Sequence, residues 1–359
     1  MLRRNWEFAE KSLKIELAFR PCPVLPVQTA ASRLLAERLH QLCYPSRVLC
    51  SLLSCCPQLS CCAATNRMTS RMRRRLRKFT AVVAAIYLGV LGLLTLLETT
   101  LLYPAPPRSQ GDWQADWLDH EDVYFTSSDA TLLHGWYCPR ADAEMSILLC
   151  HGNGENVSNL ADELDFLRRK YRANVFAFDY RGYGHSQGRP FEAGILADGE
   201  AAQHWLATRT GQKPEQSVLW GRSLGGAVAV HLASRYGAAA LVLDRTFSSM
   251  VDVAASHFPW LPVRWLLRNR YLSIDKLPNY RGPLIQIHGQ PDEIVPYRFA
   301  QALFASSRSA NKQFIASDSL SHNDAWPIEY HHRVQELLRD ALNRDTLPPG
   351  LPRSERTTD

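Results

Sequence analysis

One pentapeptide constrains the fold more than any other part of the chain. The residues Gly-Arg-Ser-Leu-Gly at 221–225 follow a short apolar run, 218–220, and precede the apolar run 226–230, which has the composition of a helix. A serine held between a strand and a helix, with glycines where a side chain would crowd the sharp turn, is typical of a nucleophile elbow. The pattern therefore predicts that Ser223 is a nucleophile at the edge of a sheet.

Short apolar runs alternate with longer helical patterns over the rest of the chain. Eight runs predict strands, at 123–126, 131–137, 147–150, 174–179, 218–220, 240–243, 284–287 and 312–315. Stretches of helical length lie between or after the later ones, at 157–171, 193–208, 224–236, 297–308 and 325–343. This alternation predicts an α/β architecture with a mostly parallel eight-stranded sheet and helices on both faces.

A nucleophilic serine needs a base and an acid that orients the base. His322 lies between the last predicted strand and the last predicted helix, and Asp292 lies in a turn-rich loop after the strand 284–287. The order Ser223, Asp292, His322, with each residue after a strand, is the chain order of hydrolases built on such a sheet. Asp244, which ends the strand 240–243, is the alternative acid, and Glu293 is a third choice.

The loop His-Gly-Asn-Gly at 151–154 follows another strand and is the candidate for stabilising an oxyanion. We expect the backbone N–H groups of Asn153 and Leu224 to be the two donors, because a glycine-bearing loop faces the elbow in this architecture. Such a mechanism needs no metal and no cofactor, so neither is predicted. The glycine-rich segment 179–186 lacks the spacing of a phosphate-binding or dinucleotide-binding loop, which favours a structural turn.

Charge and cysteine are concentrated at the start of the chain. The net charge is +6, but the first 78 residues hold 15 Lys and Arg against four Glu, so the remainder is mildly acidic and no nucleic-acid partner is expected. Seven of the nine cysteines precede residue 63, in a spacing that does not resemble a zinc site. Residues 1–67 are predicted to be a disordered extension, or a mis-assigned start upstream of Met68.

An uncharged apolar stretch, 79–97, follows this region. As a helix it would span about 28 Å, close to the hydrocarbon thickness of a bilayer. The basic flank 68–78 precedes it, so we expect a single-pass anchor over 79–102 with a cytoplasmic N-terminus and an exoplasmic catalytic domain. A cleaved signal peptide and a buried core helix are the alternatives. A Pro-rich linker, 103–113, the catalytic domain, 114–344, and a flexible tail, 345–359, complete the predicted organisation.

Several motifs carry a family resemblance. The segments 151–156 (HGNGEN), 179–184 (DYRGYG), 221–229 (GRSLGGAVA), 244–249 (DRTFSS) and 322–324 (HND) are similar to membrane-anchored α/β-hydrolase domain proteins of the bud-emergence (Bem) type. The resemblance covers about 115–343 and implies an α/β-hydrolase fold. It also implies Ser223, Asp292 and His322 as the triad and Asn153 with Leu224 as the oxyanion hole.

The resemblance further implies a small-molecule or lipid acyl substrate, because related families include depalmitoylases and lipid esterases. Two positions depart from the family pattern: Gly154-Glu155 stands where Ala-Gly is more usual, and Ser321 stands where glycine often precedes the histidine. The sequence therefore predicts a membrane-anchored serine hydrolase of acyl esters or thioesters. An aminopeptidase-type serine hydrolase and a catalytically silent scaffold are the alternatives.

About 35 residues separate the strand that ends at Asp244 from the one that starts at Leu284, and they include Phe258, Trp260 and Trp265. Such an insertion is compatible with a small apolar lid and equally with an ordinary helix packed on the sheet.

Overall fold

The computed structural model describes residues 69–345. The predicted extension 1–67, with its seven cysteines, lies outside the described residues. So does the predicted tail, apart from Asp345, which ends the last helix.

One eight-stranded sheet forms the centre of the fold, with strand order β1-β2-β4-β3-β5-β6-β7-β8. β1 pairs with β2 and β2 pairs with β4 antiparallel, and the other neighbours are parallel. The fold and the eight strands predicted from the sequence are therefore confirmed. The strands are β1 (Glu121–Thr126), β2 (Leu132–Cys138), β3 (Met145–Cys150), β4 (Ala173–Phe178), β5 (Val218–Arg222), β6 (Ala240–Asp244), β7 (Leu284–Gly289) and β8 (Lys312–Ser317).

Helices cover both faces of the sheet. Within the described residues they are α1 (Ser70–Leu102), α2 (Ala161–Lys170), α3 (Glu192–Thr210), α4 (Leu224–Tyr236), α5 (Met250–His257), α6 (Val263–Leu266), α7 (Ser273–Lys276), α8 (Tyr297–Ser306) and α9 (Ile328–Asp345). Residues of α3 and α4 belong to one buried apolar cluster, and residues of α2 and α9 belong to a second. Because both faces are covered, the central strands β3 and β7 are buried at every position.

α1 is long and apolar enough to cross a membrane. It begins at Ser70, so the basic flank that was expected to precede the anchor is itself helical. The segment after α1 packs against the body rather than standing free as a spacer. The hydroxyl of buried Tyr103 lies 2.9 Å from the side-chain oxygen of Asn269 and 2.8 Å from the hydroxyl of Tyr271.

The carboxyl ends of the parallel strands meet at one edge of the sheet, which is where open α/β sheets place their functional loops. The loops that follow β3, β5, β6, β7 and β8 at this edge carry the residues singled out from the sequence.

Candidate active site

The turn between β5 and α4 has the strained backbone expected of a nucleophile elbow. Ser223 has φ of +51° and ψ of −114°. A non-glycine residue in such a region costs about 1–3 kcal/mol and persists only when its surroundings hold it. The backbone N–H of Ser223 donates to the carbonyl of Asp244 at 2.8 Å, and its carbonyl accepts from the Thr246 hydroxyl at 2.7 Å.

Two glycines are required by close approach of the backbone. A Cβ on Gly221 would lie 2.5 Å from the carbonyl oxygen of Gly225. A Cβ on Gly225 would lie 2.0 Å from the carbonyl oxygen of Cys150 at the end of β3. These distances explain why the motif places glycine two residues before and two residues after the serine.

The structure brings Ser223, His322 and Asp292 together although 69 and 30 residues separate successive members. His322 Nε2 lies 3.2 Å from Ser223 Oγ, and His322 Nδ1 lies 2.7 Å from Asp292 Oδ2. The other carboxylate oxygen of Asp292 accepts from the backbone N–H groups of Ile294 at 3.0 Å and Val295 at 2.8 Å. These bonds orient the buried carboxylate so that its free oxygen faces the imidazole.

A second histidine lies beneath this carboxylate. His288 Nε2 donates to the Val295 carbonyl at 2.8 Å and is 3.4 Å from Asp292 Oδ2. Burial lowers the pKa of His288, which favours its neutral form. Since the Nε2–H of His288 is directed to the Val295 carbonyl, the shorter contact of Asp292 Oδ2, at 2.7 Å, is the one with His322.

The two other candidate acids are not at the imidazole. Asp244 accepts a hydrogen bond from Trp326 Nε1 at 2.9 Å, and Glu293 is exposed to solvent. The geometry therefore favours Asp292 as the residue that orients His322.

Arg245 holds the histidine loop, and the sequence reasoning missed this role. Its Nη1 donates to the carbonyl of His322 at 3.0 Å, and its Nη2 donates to the carbonyl of Asp324 at 2.5 Å. The guanidinium also lies over the ring of Trp326, 4.3 Å from the centroid. In the sequence, only the position of Arg245 directly after β6, within the 244–249 motif, could have suggested that it lies near the site.

The loop after β3 is fixed by its side chains. Asn153 Nδ2 donates to the carbonyl of Leu102 at 2.6 Å, and Asn153 Oδ1 accepts from the hydroxyl of Tyr183 at 2.6 Å. The backbone N–H of Leu224 belongs to the first turn of α4, where no carbonyl of the helix is available as acceptor. The two predicted oxyanion donors thus belong to segments that are each held in place.

A charged bridge joins this loop to the elbow. Glu155 Oε2 accepts from the backbone N–H of Gly152 at 3.1 Å, and the other oxygen of Glu155 accepts from Arg222 Nη2. Arg222 Nη1 also donates to Glu163 at 3.0 Å. Burial alone would raise the pKa of Glu155, but the charge and hydrogen bond of Arg222 outweigh it and lower that pKa. Glu155, one of the two departures from the family pattern, therefore links the two halves of the site.

The segment 179–186 is taken up by structural contacts. Asp179 accepts from the backbone N–H of Val157 at 2.9 Å and contacts the ring of His134 at 2.9 Å. The buried Arg181 pairs with Asp198 at 2.7 Å. These bonds fit the structural turn predicted from the sequence.

Within residues 69–345, no group of three or more His, Cys, Asp and Glu side chains could hold a metal ion. The groups gathered around Ser223 can instead perform proton transfer and nucleophilic attack.

Comparisons with known proteins agree with this architecture. The family profile of the α/β-hydrolase fold matches residues 146–271. An uncharacterized protein of Mycobacterium tuberculosis is 36% identical over 282 residues, which cover 77% of this chain and 96% of that protein. The α/β-hydrolase domain-containing protein 17C of Xenopus tropicalis is 30% identical over 259 residues, which cover 67% of this chain and 81% of that protein.

Among solved structures, an esterase of Pyrococcus furiosus, Pf2001, superposes with a TM-score of 0.55 at 23% identity and covers 66% of this chain and 99% of its own. At that identity the likeness shows a shared fold. Together with the sequence relatives and the elbow geometry, it identifies the chain as a member of the α/β-hydrolase domain family.

Proposed function

We propose that this chain is a membrane-anchored serine hydrolase that cleaves acyl esters or thioesters through Ser223, His322 and Asp292. The observation that carries the proposal is the position of the His322 ring between the serine oxygen, at 3.2 Å, and the buried carboxylate, at 2.7 Å. The structural neighbours include esterases, which supports hydrolysis of esters as the class of reaction.

In the proposed mechanism, His322 Nε2 takes the proton from Ser223 Oγ as that oxygen attacks the carbonyl carbon of the acyl group. Asp292 accepts a hydrogen bond from Nδ1–H, which keeps Nε2 as the basic nitrogen and stabilises the imidazolium. The backbone N–H groups of Asn153 and Leu224 stabilise the oxyanion.

The imidazolium then returns its proton to the leaving alcohol or thiol, and an acyl-enzyme remains on Ser223. Water attacks the acyl carbonyl, its proton passes to His322, and Ser223 leaves with that proton. The cycle closes with the free acid and the regenerated serine.

The membrane part of the proposal rests on α1. The basic residues Arg71, Arg73, Arg74, Arg75, Arg77 and Lys78 lie at its start, while its second half is uncharged up to Glu98. By the positive-inside bias we place the N-terminus in the cytoplasm and the catalytic domain on the exoplasmic side. This anchoring supports placement in the Bem-type branch of the family and favours lipid or lipidated substrates.

The test is labelling of the full-length chain with a fluorophosphonate probe, followed by a panel of p-nitrophenyl esters, acyl thioesters and peptide anilides. We expect labelling of the wild type and none of Ser223→Ala, with turnover of esters or thioesters. Ser248→Ala is the matched control, because Ser248 is buried at the same sheet edge but is not in the triad. Hydrolysis of the anilides alone would indicate an aminopeptidase, and absence of labelling would indicate a silent scaffold.

A further inference from the structure

The insertion between β6 and β7 contains a strongly apolar exposed segment, residues 258–269, here called the cap. Phe258 is 48% exposed, Trp260 is 60% exposed and Trp265 is 88% exposed. Large aromatic side chains with this exposure, grouped within eight residues, are typical of a surface that contacts an apolar partner or a lipid interface.

Seven of the ten backbone N–H groups of the cap have a partner in the fold, three of them outside the cap, on Ala254 and Glu98. The N–H groups of Leu261, Trp265, Leu266 and Leu267 donate to carbonyls of the cap. Pro259 and Pro262 have no N–H to satisfy. Pairing of this kind favours entry into a bilayer, because an unpaired backbone group in hydrocarbon costs about 2–7 kcal/mol.

The cap is attached to α1 at two levels. The hydroxyl of Tyr87 donates to the carbonyl of Trp260 at 3.1 Å. Three turns later, Glu98 is 6% exposed and accepts from the backbone N–H groups of Arg268 at 3.0 Å and Asn269 at 2.9 Å. Arg268 Nε adds an ion pair at 2.9 Å. The cap therefore lies alongside the second half of α1.

Other side chains of α1 remain apolar and exposed over the same turns. Leu93, Leu96, Leu97 and Leu101, at 41–82% exposure, recur at helical spacing. Each leucine left in water rather than in hydrocarbon costs about 1.5–3 kcal/mol. From Phe79 to Leu101 the apolar face extends about 33 Å, which matches a bilayer core. We therefore expect the bilayer to cover α1 as far as Leu101.

Given the anchoring by α1 in the proposed function, we propose that the cap inserts into the same bilayer. Tyr87 lies about 21 Å along the helix axis from Leu101, so a bilayer that covers α1 to Leu101 also meets the cap beside it. Trp260 and Trp265 enter the apolar layer, while Arg264 and Arg268 keep the carboxylate partners they have in the fold, Asp252 at 2.9 Å and Glu98 at 2.9 Å.

This insertion turns the active site toward the membrane. The carbonyl of Leu102 at the end of α1 accepts from Asn153 in the loop proposed to stabilise the oxyanion. The cap follows β6, whose carboxyl end lies at the same sheet edge as Ser223. An acyl chain in the bilayer is thereby presented to Ser223 from the membrane side.

The test is tryptophan fluorescence of the full-length chain reconstituted in phosphatidylcholine vesicles with brominated acyl chains. Two of the nine tryptophans, Trp260 and Trp265, belong to the cap. We expect the bromolipid to quench the wild type and the quenched fraction to fall in Trp260→Phe and Trp265→Phe. Trp117→Phe is the matched control, because Trp117 is 51% exposed outside the cap and its loss should leave the amount of lipid-quenched emission unchanged, so that the quenched fraction does not fall.

Two results overturn the proposal in distinguishable ways. Protein that floats with the vesicles but loses no lipid-quenched emission in Trp260→Phe or Trp265→Phe would mean that α1 is inserted and the cap is not. Protein that does not float would overturn the anchoring and the cap insertion together. The fluorescence does not depend on catalysis, so a failed probe reaction at Ser223 leaves this test intact.

Turnover provides a second readout through Trp265→Glu, a change at a side chain that is 88% exposed and packs little against the body. We expect hydrolysis of an acyl ester embedded in vesicles to fall about tenfold or more, because a carboxylate disfavours insertion. Hydrolysis of a short water-soluble p-nitrophenyl ester should be unchanged. Equal loss on both substrates, or no loss on either, would contradict the proposal.

Discussion

The bridge from Glu155 to Arg222 connects the proposed oxyanion loop to the nucleophile elbow, and its removal should affect both stability and turnover. Glu155 contacts the backbone N–H of Gly152 and the guanidinium of Arg222. Glu155→Gln keeps the size of the side chain and an oxygen for Gly152 but removes the charge.

The expected loss in the free energy of unfolding follows from the two hydrogen bonds that Glu155 accepts, from Gly152 and from Arg222. A hydrogen bond to a charged group contributes about 1.5–3 kcal/mol. The side chains of Glu155 and Arg222 are 30% and 23% exposed, so solvent screens the pair only in part. We therefore expect Glu155→Gln to lower the free energy of unfolding by about 1.5–3 kcal/mol. A small displacement of the oxyanion donor should lower kcat about 10- to 100-fold with KM little changed.

Urea unfolding and steady-state hydrolysis of a water-soluble ester measure the two effects. Glu144→Gln is the matched control, because Glu144 pairs with Arg172 at 2.7 Å on the surface, where the side chains are 49% and 43% exposed. Such surface pairs contribute about 0–1 kcal/mol, and this one lies outside the site. Loss of stability with unchanged kcat would refute the link between Glu155 and the oxyanion loop.

The lowered pKa of Glu155 sets how its contribution to stability varies with pH. The folded-state pKa of Glu155 lies below its ordinary value of 4.5, so ionisation of this group stabilises the fold. That contribution is fully present above about pH 4.5 and is lost as the pH falls through the lowered folded-state value. The stability difference between wild type and Glu155→Gln should be constant near neutral pH and shrink in acid. A difference that grows in acid would contradict this assignment.

Three further predictions concern the same site. Asp292→Asn should lower kcat about 10³- to 10⁴-fold by favouring the wrong tautomer of His322, whereas Asp244→Asn should retain most activity. Equal losses of ester hydrolysis in the two variants would contradict Asp292 as the residue that orients His322. Arg245→Lys should lower kcat about tenfold while the circular dichroism spectrum stays that of the wild type, because one ammonium cannot bind the carbonyls of both His322 and Asp324. An unchanged rate would show that the histidine loop keeps its position without Arg245. Gly225→Ala should abolish soluble expression or activity, since the new Cβ would lie 2.0 Å from the backbone of β3; a folded, fully active variant would show that the elbow can relax.

Local sequence was sufficient to predict the strands and the nucleophile elbow. The strands are continuous apolar runs because both faces of a parallel sheet are covered, so β5 and β7 were recognisable at their correct places. Ser223 was recognisable because a backbone in its conformation, crowded on both sides, requires the glycines that flank it.

The choice between the two acids could be made only in three dimensions. Asp292 and Asp244 both follow strands, and nothing in their immediate sequence separates them. The backbone N–H groups after Asp292 aim its carboxylate at His322, while Trp326, more than 80 residues from Asp244 in the chain, occupies the other carboxylate.

The sequence by itself therefore determined which segments are strands, which serine stands on the strained turn and which helix is apolar enough to cross a membrane. Only the tertiary structure decided which charged groups meet. Glu155 reaches Arg222 across 67 residues, and Glu98 reaches Arg268 across 170. Periodicity and turn chemistry are properties of neighbouring residues, whereas these pairings depend on how distant elements pack at one edge of the sheet.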